Sequence, residues 1–328
     1  MINIDKRIID NFKKARILVI GDLILDKFIW GNVDRISPEA PVPVVYQVRE
    51  SYMPGGASNV TNNLSSLKAK EVLMVGLIGR DSEGRRLKAE LKKRGVNISG
   101  VFTEGARQTT LKTRIIAHHQ QVVRLDHETT APIKKESVKR IVNFVKRHVE
   151  RCDAIIIEDY GKGVIDPGVL EPIIAFARSK KKIITVDPKE DHFKSYKNVT
   201  TITPNLKEAC EASGQKFKKG VDVSKIGKLL MSRLNLKALL ITMGDEGMQL
   251  MQRGKKSQHI PTLAQEVFDV SGAGDTVIAV FTLALACGAD FMTAAHLANI
   301  CAGIVVGKVG VATVSLNELS KGLNKYHG

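Results

Sequence analysis

The chain has 328 residues, 43% of them hydrophobic, enough for a sizeable core in one large α/β domain or in a domain with an appendage. Its 50 lysines and arginines against 34 acidic residues give a net charge of +16, but the excess is spread over small groups such as Lys13-Lys14, Lys92-Lys93-Arg94, Lys180-Lys181-Lys182, Lys218-Lys219 and Lys255-Lys256, and only 5% of residues are aromatic, which excludes the basic-aromatic strip of a single-strand binder. Cys152, Cys210, Cys287 and Cys301 stand too far apart for a metal or redox pair, no signal peptide opens the chain, and the apolar run 277–287 is too short to span a bilayer, so the expectation is a soluble cytoplasmic protein that binds neither nucleic acid nor membrane.

In chain order, the run 17–20 reads as a buried strand ending at Gly21-Asp22. A carboxylate at that strand end, Asp22, can accept from two neighbouring sugar hydroxyls, or can cap. Residues 28–30, and the alternation of Val42, Val44, Tyr46 and Val48, read as further strands. Pro54 to Asn59 then leads into a helix over 57–67; Gly55 and Gly56 let a ligand approach the backbone, and Asn59 can donate and accept toward sugar hydroxyls. A strand over 72–78 and a helix over 84–94 follow. Residues 109–126 read as two β segments around a polar turn that contains His118 and His119, and they carry Lys112, Arg114 and Arg124. The segments at about 27–53 and 108–126 are expected to form a small separate sheet, a lid over the site.

From there helices and strands alternate: helix 135–150, strand 154–157, helix 168–179, strand 183–186, strand 200–202, helix 205–213, helix 223–234 and strand 238–241. The pattern predicts an α/β fold with a central, mostly parallel sheet and helices on both faces, in which ligands bind beyond the carboxyl ends of the strands. Asp159, Lys162, Asp187, Lys189, Asn205 and Thr242 fall at or just past such ends. Asn205 and Glu208 have the spacing of a helix cap, and the same spacing puts an amide and a carboxylate side by side where hydrated Mg²⁺ and phosphates can sit. Thr242, Gly244 and Gly247 make a glycine turn into a strand over 248–251, which can lie along a nucleotide but by itself reads as a hairpin.

The most informative segment is Asp269 to Thr276. Gly272, Ala273 and Gly274 precede Asp275, and an apolar helix follows at once. Free N–H groups and the helix dipole at such a turn hold phosphate oxygens, and Asp275 then stands where it can take a proton from an attacking hydroxyl.

Six segments, GD at 21–22, PGGASNV at 54–60, VGLIGRDSEGRRLKAELKKRGV at 75–96, TPNLKEA at 203–209, ITMGDEGM at 241–248 and DVSGAGDTV at 269–277, occur in the order in which they mark the ribokinase-like (PfkB) sugar kinases, and the chain resembles that family over nearly its whole length. The resemblance implies a single ribokinase-like kinase domain over 1–328 and the use of ATP, Mg²⁺ and often a monovalent cation such as K⁺. Asp275 is then the general base, with the N–H groups of Gly272, Ala273 and Gly274 stabilising the transferring phosphoryl group. Asn205, Glu208, Thr242, Gly244, Gly247 and Asn299 lie along ATP, Glu208 and Asp187 near Mg²⁺ through water, and Asp269 near the monovalent cation. A homodimer through the lid sheet is also implied.

A narrower resemblance rests on residues 34–43, 120–126, 159–163, 264–269 and 305–310, which look like those of the D-glycero-β-D-manno-heptose 7-phosphate kinases. These phosphorylate the C1 hydroxyl on the route to ADP-heptose for lipopolysaccharide, and their bifunctional versions carry a nucleotidyltransferase domain after the kinase. With the chain ending at Gly328, the expectation is the kinase step alone. Such a substrate needs a cationic pocket, for which Lys112, Arg114, Arg124, Lys162 and Lys189 are the candidates. Another PfkB-type sugar or sugar-phosphate kinase, and a non-catalytic nucleotide- or sugar-binding regulator, remain as alternatives; Asp275 counts against the second.

Overall fold

The structure, a computed structural model, describes residues 4–118, 120–218, 220–264 and 266–327. His119, Lys219, Gln265 and Gly328, singled out above, lie outside the described residues.

Six strands form a parallel sheet: β1 (Arg16–Gly21), β4 (Glu71–Ile78), β5 (Asn97–Thr103), β8 (Ala154–Glu158), β9 (Ile183–Asp187) and β10 (Thr201–Ile202), in the order β10-β9-β8-β1-β4-β5. Their side chains are apolar on both faces because both faces are covered. In β1, Ile17 and Val19 enter one core cluster and Leu18 and Ile20 the other. The first cluster takes in α2 (Ala57–Ser66), α3 (Ser82–Lys93), α8 (Ala273–Ala286), α9 (Phe291–Val306) and α10 (Leu316–His327). The second takes in α4 (Lys135–His148), α5 (Pro167–Ser179), α6 (Leu206–Ser213) and α7 (Val223–Leu234). A short helix, α1 (Lys6–Asp10), precedes β1.

Beyond β10 the sheet changes character. Strand β11 (Ala238–Thr242) pairs antiparallel with β12 (Met248–Gln252), which pairs with β13 (Gln258–Ile260). The expectation of one more parallel strand at 238–241 is corrected on its β12 side. On its other side the Thr242 N–H donates to the Pro204 carbonyl (3.0 Å), and Asn205 and Thr242 form a parallel bridge. A four-stranded sheet stands apart, in the order β3-β2-β6-β7: β3 (Pro43–Gly56), β2 (Leu23–Ile36), β6 (Thr110–Ala117) and β7 (Gln120–His127).

The main-sheet strands run from both sides toward one end, and the turns that follow β1, β8, β9 and β10 converge there, as expected for an α/β sheet. Leu18 is fully buried in the middle of β1, between β4 and β8. Leu18→Ala is expected to cost about 2–5 kcal/mol, read as a lower urea midpoint at unchanged slope.

Candidate active site

Helix α8 is apolar on every side; residues 275–285 are all buried. It packs against α2 and α9, so its first turn cannot drift. The residue before it, Gly272, has φ +79, and an added Cβ would lie 2.7 Å from the Asn59 amide nitrogen, so only glycine fits. No side chain caps α8. Its leading N–H groups at Gly274 and Asp275 therefore have no partner within the helix and are open to an anion.

Asp275, one residue past this turn, is 3% exposed. Its Oδ2 accepts from Asn59 Nδ2 at 2.6 Å and its Oδ1 from the Tyr160 hydroxyl at 2.7 Å. Burial raises its pKa to about 6, although both hydrogen bonds pull the other way. A base of that pKa is ionised at neutral pH and still strong enough to take a proton. Asn59, expected to meet sugar hydroxyls, spends its amide on this carboxylate instead.

Asp22 is likewise corrected. Its carboxylate is buried and accepts the N–H groups of Tyr160 (2.9 Å), Lys162 (3.0 Å) and Val164 (3.1 Å). It therefore organises the loop after β8 rather than offering itself to a sugar. Burial still pushes its pKa up to about 6. Gly55 and Gly56 end β3 beside this region, and a Cβ on Gly55 would strike the Asp26 carboxylate at 2.1 Å. Asp26, buried, forms an ion pair with Arg114.

Three carboxylates gather beneath the α8 turn. Glu158 ends β8, Asp187 ends β9, and ligand atoms of these two and of Asp275 lie within 4.8 Å of one another. Glu158 is fully buried; among the described residues no N–H or hydroxyl reaches either of its oxygens, and its side-chain hydrogen bonds are with the carboxyls of Asp187 and Asp275. Burial and the charges of Asp187 and Asp275 hold its pKa well above the carboxylate range. Burial, then Glu208 and Asp275, push Asp187 up to about 8. Asn205 and Glu208 form a reciprocal cap on α6, each side chain bonded to the other's backbone N–H at 2.9 Å. Glu208 therefore adjoins Asp187 without belonging to the carboxylate cluster.

Next to the α8 turn lies a mostly apolar cavity of about 310 Å³. Thr242, Gly244, Gly247 and Asn299 line it together with Ala273 and Gly274, and Val277 and Val306 supply apolar walls. Four of the six residues expected along ATP thus share one cavity with the expected anion-binding turn, at a size suited to a small ligand. Asp269 braces the turn: it accepts from the N–H groups of Ser271 (2.9 Å) and Gly310 (3.1 Å).

The five candidate phosphate-binding cations are all engaged with carboxylates. Lys112 and Arg124 meet Asp126 (3.4 and 2.8 Å), Arg114 meets Asp26, Lys162 meets Glu128 (2.6 Å) and Lys189 meets Glu190 (2.6 Å).

The pfkB carbohydrate kinase family matches residues 14–318. The chain belongs to this family. It is 44% identical over 311 residues to the bifunctional protein HldE of Geobacter sulfurreducens, covering 95% of this chain and 63% of that protein. To the bifunctional protein HldE of Helicobacter pylori it is 42% identical over 312 residues, covering 95% and 67%. The chain thus spans about two thirds or less of the length of these curated relatives. Among solved structures, phosphofructokinase-2 of Escherichia coli in complex with substrates and products superposes with a TM-score of 0.80 at 16% identity, covering 96% of this chain and 100% of that one. Arabidopsis thaliana ribokinase with ribose and ATP gives 0.72 at 16% identity, covering 94% and 98%. The fold is ribokinase-like, and the protein is a phosphotransferase acting on a sugar hydroxyl.

Sequence reasoning missed Tyr160 and Glu158. The only local signal is their place directly after the run at 154–157. Tyr160→Phe removes one donor to the ionised form of Asp275, so the Asp275 pKa rises. The acid limb of the kcat/KM profile is expected to move to higher pH by about one pH unit. A purely structural role for Tyr160 leaves that limb where it is.

Proposed function

We propose that the protein transfers the γ-phosphoryl group of ATP to the C1 hydroxyl of D-glycero-β-D-manno-heptose 7-phosphate, a step toward ADP-heptose and lipopolysaccharide. The observation that carries the reading is the buried Asp275 carboxylate, held by Asn59 and Tyr160 at the mouth of a helix N-terminus that adjoins the cavity. The heptose assignment is supported by the resemblance of residues 34–43, 120–126 and 159–163 to heptose 7-phosphate kinases, and by the identity to proteins named HldE.

In this reading ATP lies in the cavity beside Thr242, Gly244, Gly247 and Asn299, with its phosphates reaching the α8 turn. Asp275 accepts the proton of the C1 hydroxyl as that oxygen attacks the γ-phosphorus in line. The N–H groups of the 272–275 turn take up charge on the transferring group. Gly55 and Gly56 border the sugar, and Lys112, Arg114, Arg124, Lys162 and Lys189 are the cations available to the 7-phosphate. Mg²⁺ fits the donor set at the phosphate end, since Asp187 and Glu208 offer hard oxygens there and no cation side chain is among the largest charges acting on Asp187. When bound, it offsets the charge of the phosphates. A monovalent cation near Asp269 belongs to the same proposal.

A single kinase domain, a cytoplasmic location and a homodimer through the four-stranded sheet complete the reading. Among the described residues no helix is long and apolar enough to cross a membrane. In and beside the small sheet Ile36, Val42, Tyr46, Val48, Val123 and Leu125 are exposed, Tyr46 at 71% and Leu125 at 58%, and apolar side chains at sheet edges favour a protein partner.

Asp275→Asn is expected to lower kcat by about a thousandfold or more while ATP affinity changes little, because the base acts only in the transition state. Turnover within a few-fold of wild type would remove Asp275 from that role. Incubation with Mg·ATP and the heptose 7-phosphate, followed by phosphorus NMR, is expected to give an anomeric phosphate signal coupled to ADP formation. No signal here, with turnover on fructose 6-phosphate or ribose, overturns the heptose assignment and leaves the kinase chemistry in place.

A further inference from the structure

Part of the net charge of +16 gathers at the end of the main sheet opposite the active site. There α5 and α7 end, at Ser179 and Leu234, and β9, β10 and β11 begin. Between these elements lies a cavity of about 280 Å³, and one of about 240 Å³ adjoins it, with Arg178, Asn198, Val199 and Lys237 as the shared wall. Lys181 and Lys182 also line the first and Arg253 the second, so five cations surround the space, and among the described residues no carboxylate lines it. The length of β9, roughly 13 Å, separates this cavity from Asp187.

Cations often sit at helix carboxyl ends, each of which carries about half a negative charge, so α5 and α7 offset about one of the five. Carboxylates do not offset the rest. Glu150 is taken by Lys180, and Lys182 donates to the Glu150 carbonyl (2.9 Å). Among the described residues Arg178, Lys181 and Lys237 have neither an ion pair nor a side-chain hydrogen bond, unlike the cations of the small sheet, which all hold carboxylates. The hydrogen bonds here also run one way. Arg253 donates to Asn235 Oδ1 and Asn235 Nδ2 donates to Asn198 Oδ1, both at 2.7 Å, so the chain ends in the Asn198 amide N–H groups on the shared wall. The Thr200 hydroxyl accepts from the Ile184 N–H (3.0 Å) and keeps its own proton to donate. Lys181 has φ +54 just after α5, a setting glycine takes with least strain, yet a cation occupies it. A lining of cations and spare donors is matched by an anion.

We infer that this cavity binds a small polyanion with linked phosphates, either a free oligophosphate or the phosphate chain of a nucleotide. Two joined compartments with Arg178 and Lys237 on the wall between them suit consecutive phosphates better than a single one. Arg178 and Arg253 offer forked donors to such oxygens, and Lys181, Lys182 and Lys237 act as point charges around them. The enclosed shape and volume suit a small molecule rather than a nucleic-acid duplex. The site lies away from the α8 turn, and nothing in it depends on which sugar is the substrate.

The test is calorimetric titration with tripolyphosphate, without metal or sugar, of three forms of the full chain at one ionic strength. These are the wild type, the double variant Arg178→Ala/Lys237→Ala, and Lys92→Ala/Lys93→Ala, which removes the same charge from exposed positions on α3. Wild type and the α3 variant are expected to bind alike, and the Arg178/Lys237 variant about tenfold or more weakly. The α8 turn is intact in all three, so binding there cancels in the comparison. Lys181→Gly, which removes a cation and relaxes the backbone, is a second variant and is expected to weaken binding in the same direction. Equal titration of wild type and the cavity variants overturns the inference. Equal weakening by the α3 variant also overturns it, since a diffuse field then does the work assigned to the cavity. Orthophosphate that binds as tightly as tripolyphosphate overturns the linked-phosphate assignment, and a single-stranded DNA oligomer whose binding alone needs Arg178 and Lys237 replaces it with nucleic acid. ADP separates the two sources: displacement of the heat that depends on Arg178 and Lys237 points to a nucleotide, and its persistence to a free oligophosphate. Failure here leaves the heptose test untouched, because that test reads product formed at the other end of the sheet.

Discussion

The site depends on the complete burial of α8. A helix that is apolar on all sides has to be enclosed by other elements, and here α2 and α9 do so. Enclosure fixes its N-terminus against the carboxyl end of the sheet. The turn at Gly272 and the carboxylate of Asp275 are then set in place by the core rather than by a surface loop. Burial also raises the Asp275 pKa to about 6, so one constraint supplies both the position of the proposed base and its strength.

A second link ties Asp275 to the rest of the sheet. Asp22 follows β1 and gathers three N–H groups of the loop after β8, which carries Tyr160 to Asp275. Asn59 reaches the other oxygen from α2. The carboxylate is thus gripped from two elements, 216 and 115 residues away in sequence. Charge-assisted hydrogen bonds of this kind are strong enough to fix a side chain that burial alone would leave free to turn.

This separation explains what the sequence could and could not reveal. The central strands β1, β4, β8 and β9 were legible because strands covered on both faces read as short apolar runs. The turn before α8 was legible because its chemistry is local. Strand β5 was not, since it is an edge strand with a mixed burial pattern. Helix α9, buried along most of its length, has no polar face and therefore no 3.6-residue period to detect. The run at 238–241 reads the same whether its neighbour is parallel or antiparallel, while the glycine turn after it reads as the hairpin that β11 and β12 form. Asp22 carried the right position and the wrong task, because nothing near it in sequence announces the three N–H groups that claim it. Tyr160 and Glu158 have partners that only the fold brings near.

The cations of the proposed phosphate site follow the same logic. Lys112, Arg114, Arg124, Lys162 and Lys189 already hold carboxylates. Under the proposed reading, a substrate phosphate exchanges places with these carboxylates instead of desolvating bare cations. Exchange lowers the gross gain in attraction and also lowers the desolvation cost, so the affinity left over depends on geometry. A planar guanidinium such as that of Arg114 or Arg124 gains from two parallel hydrogen bonds to a phosphate in a way a lysine does not. Arg124 is 47% exposed at its side chain against 14% for Arg114, and its partner Asp126 is also held by Lys112. Arg124 can therefore turn to a ligand without leaving a buried carboxylate alone, whereas Arg114 cannot release the buried Asp26 without that penalty. Under the proposed reading, discrimination for a phosphorylated sugar rests on Arg124 with Lys112, while Arg114 holds Asp26 through their ion pair.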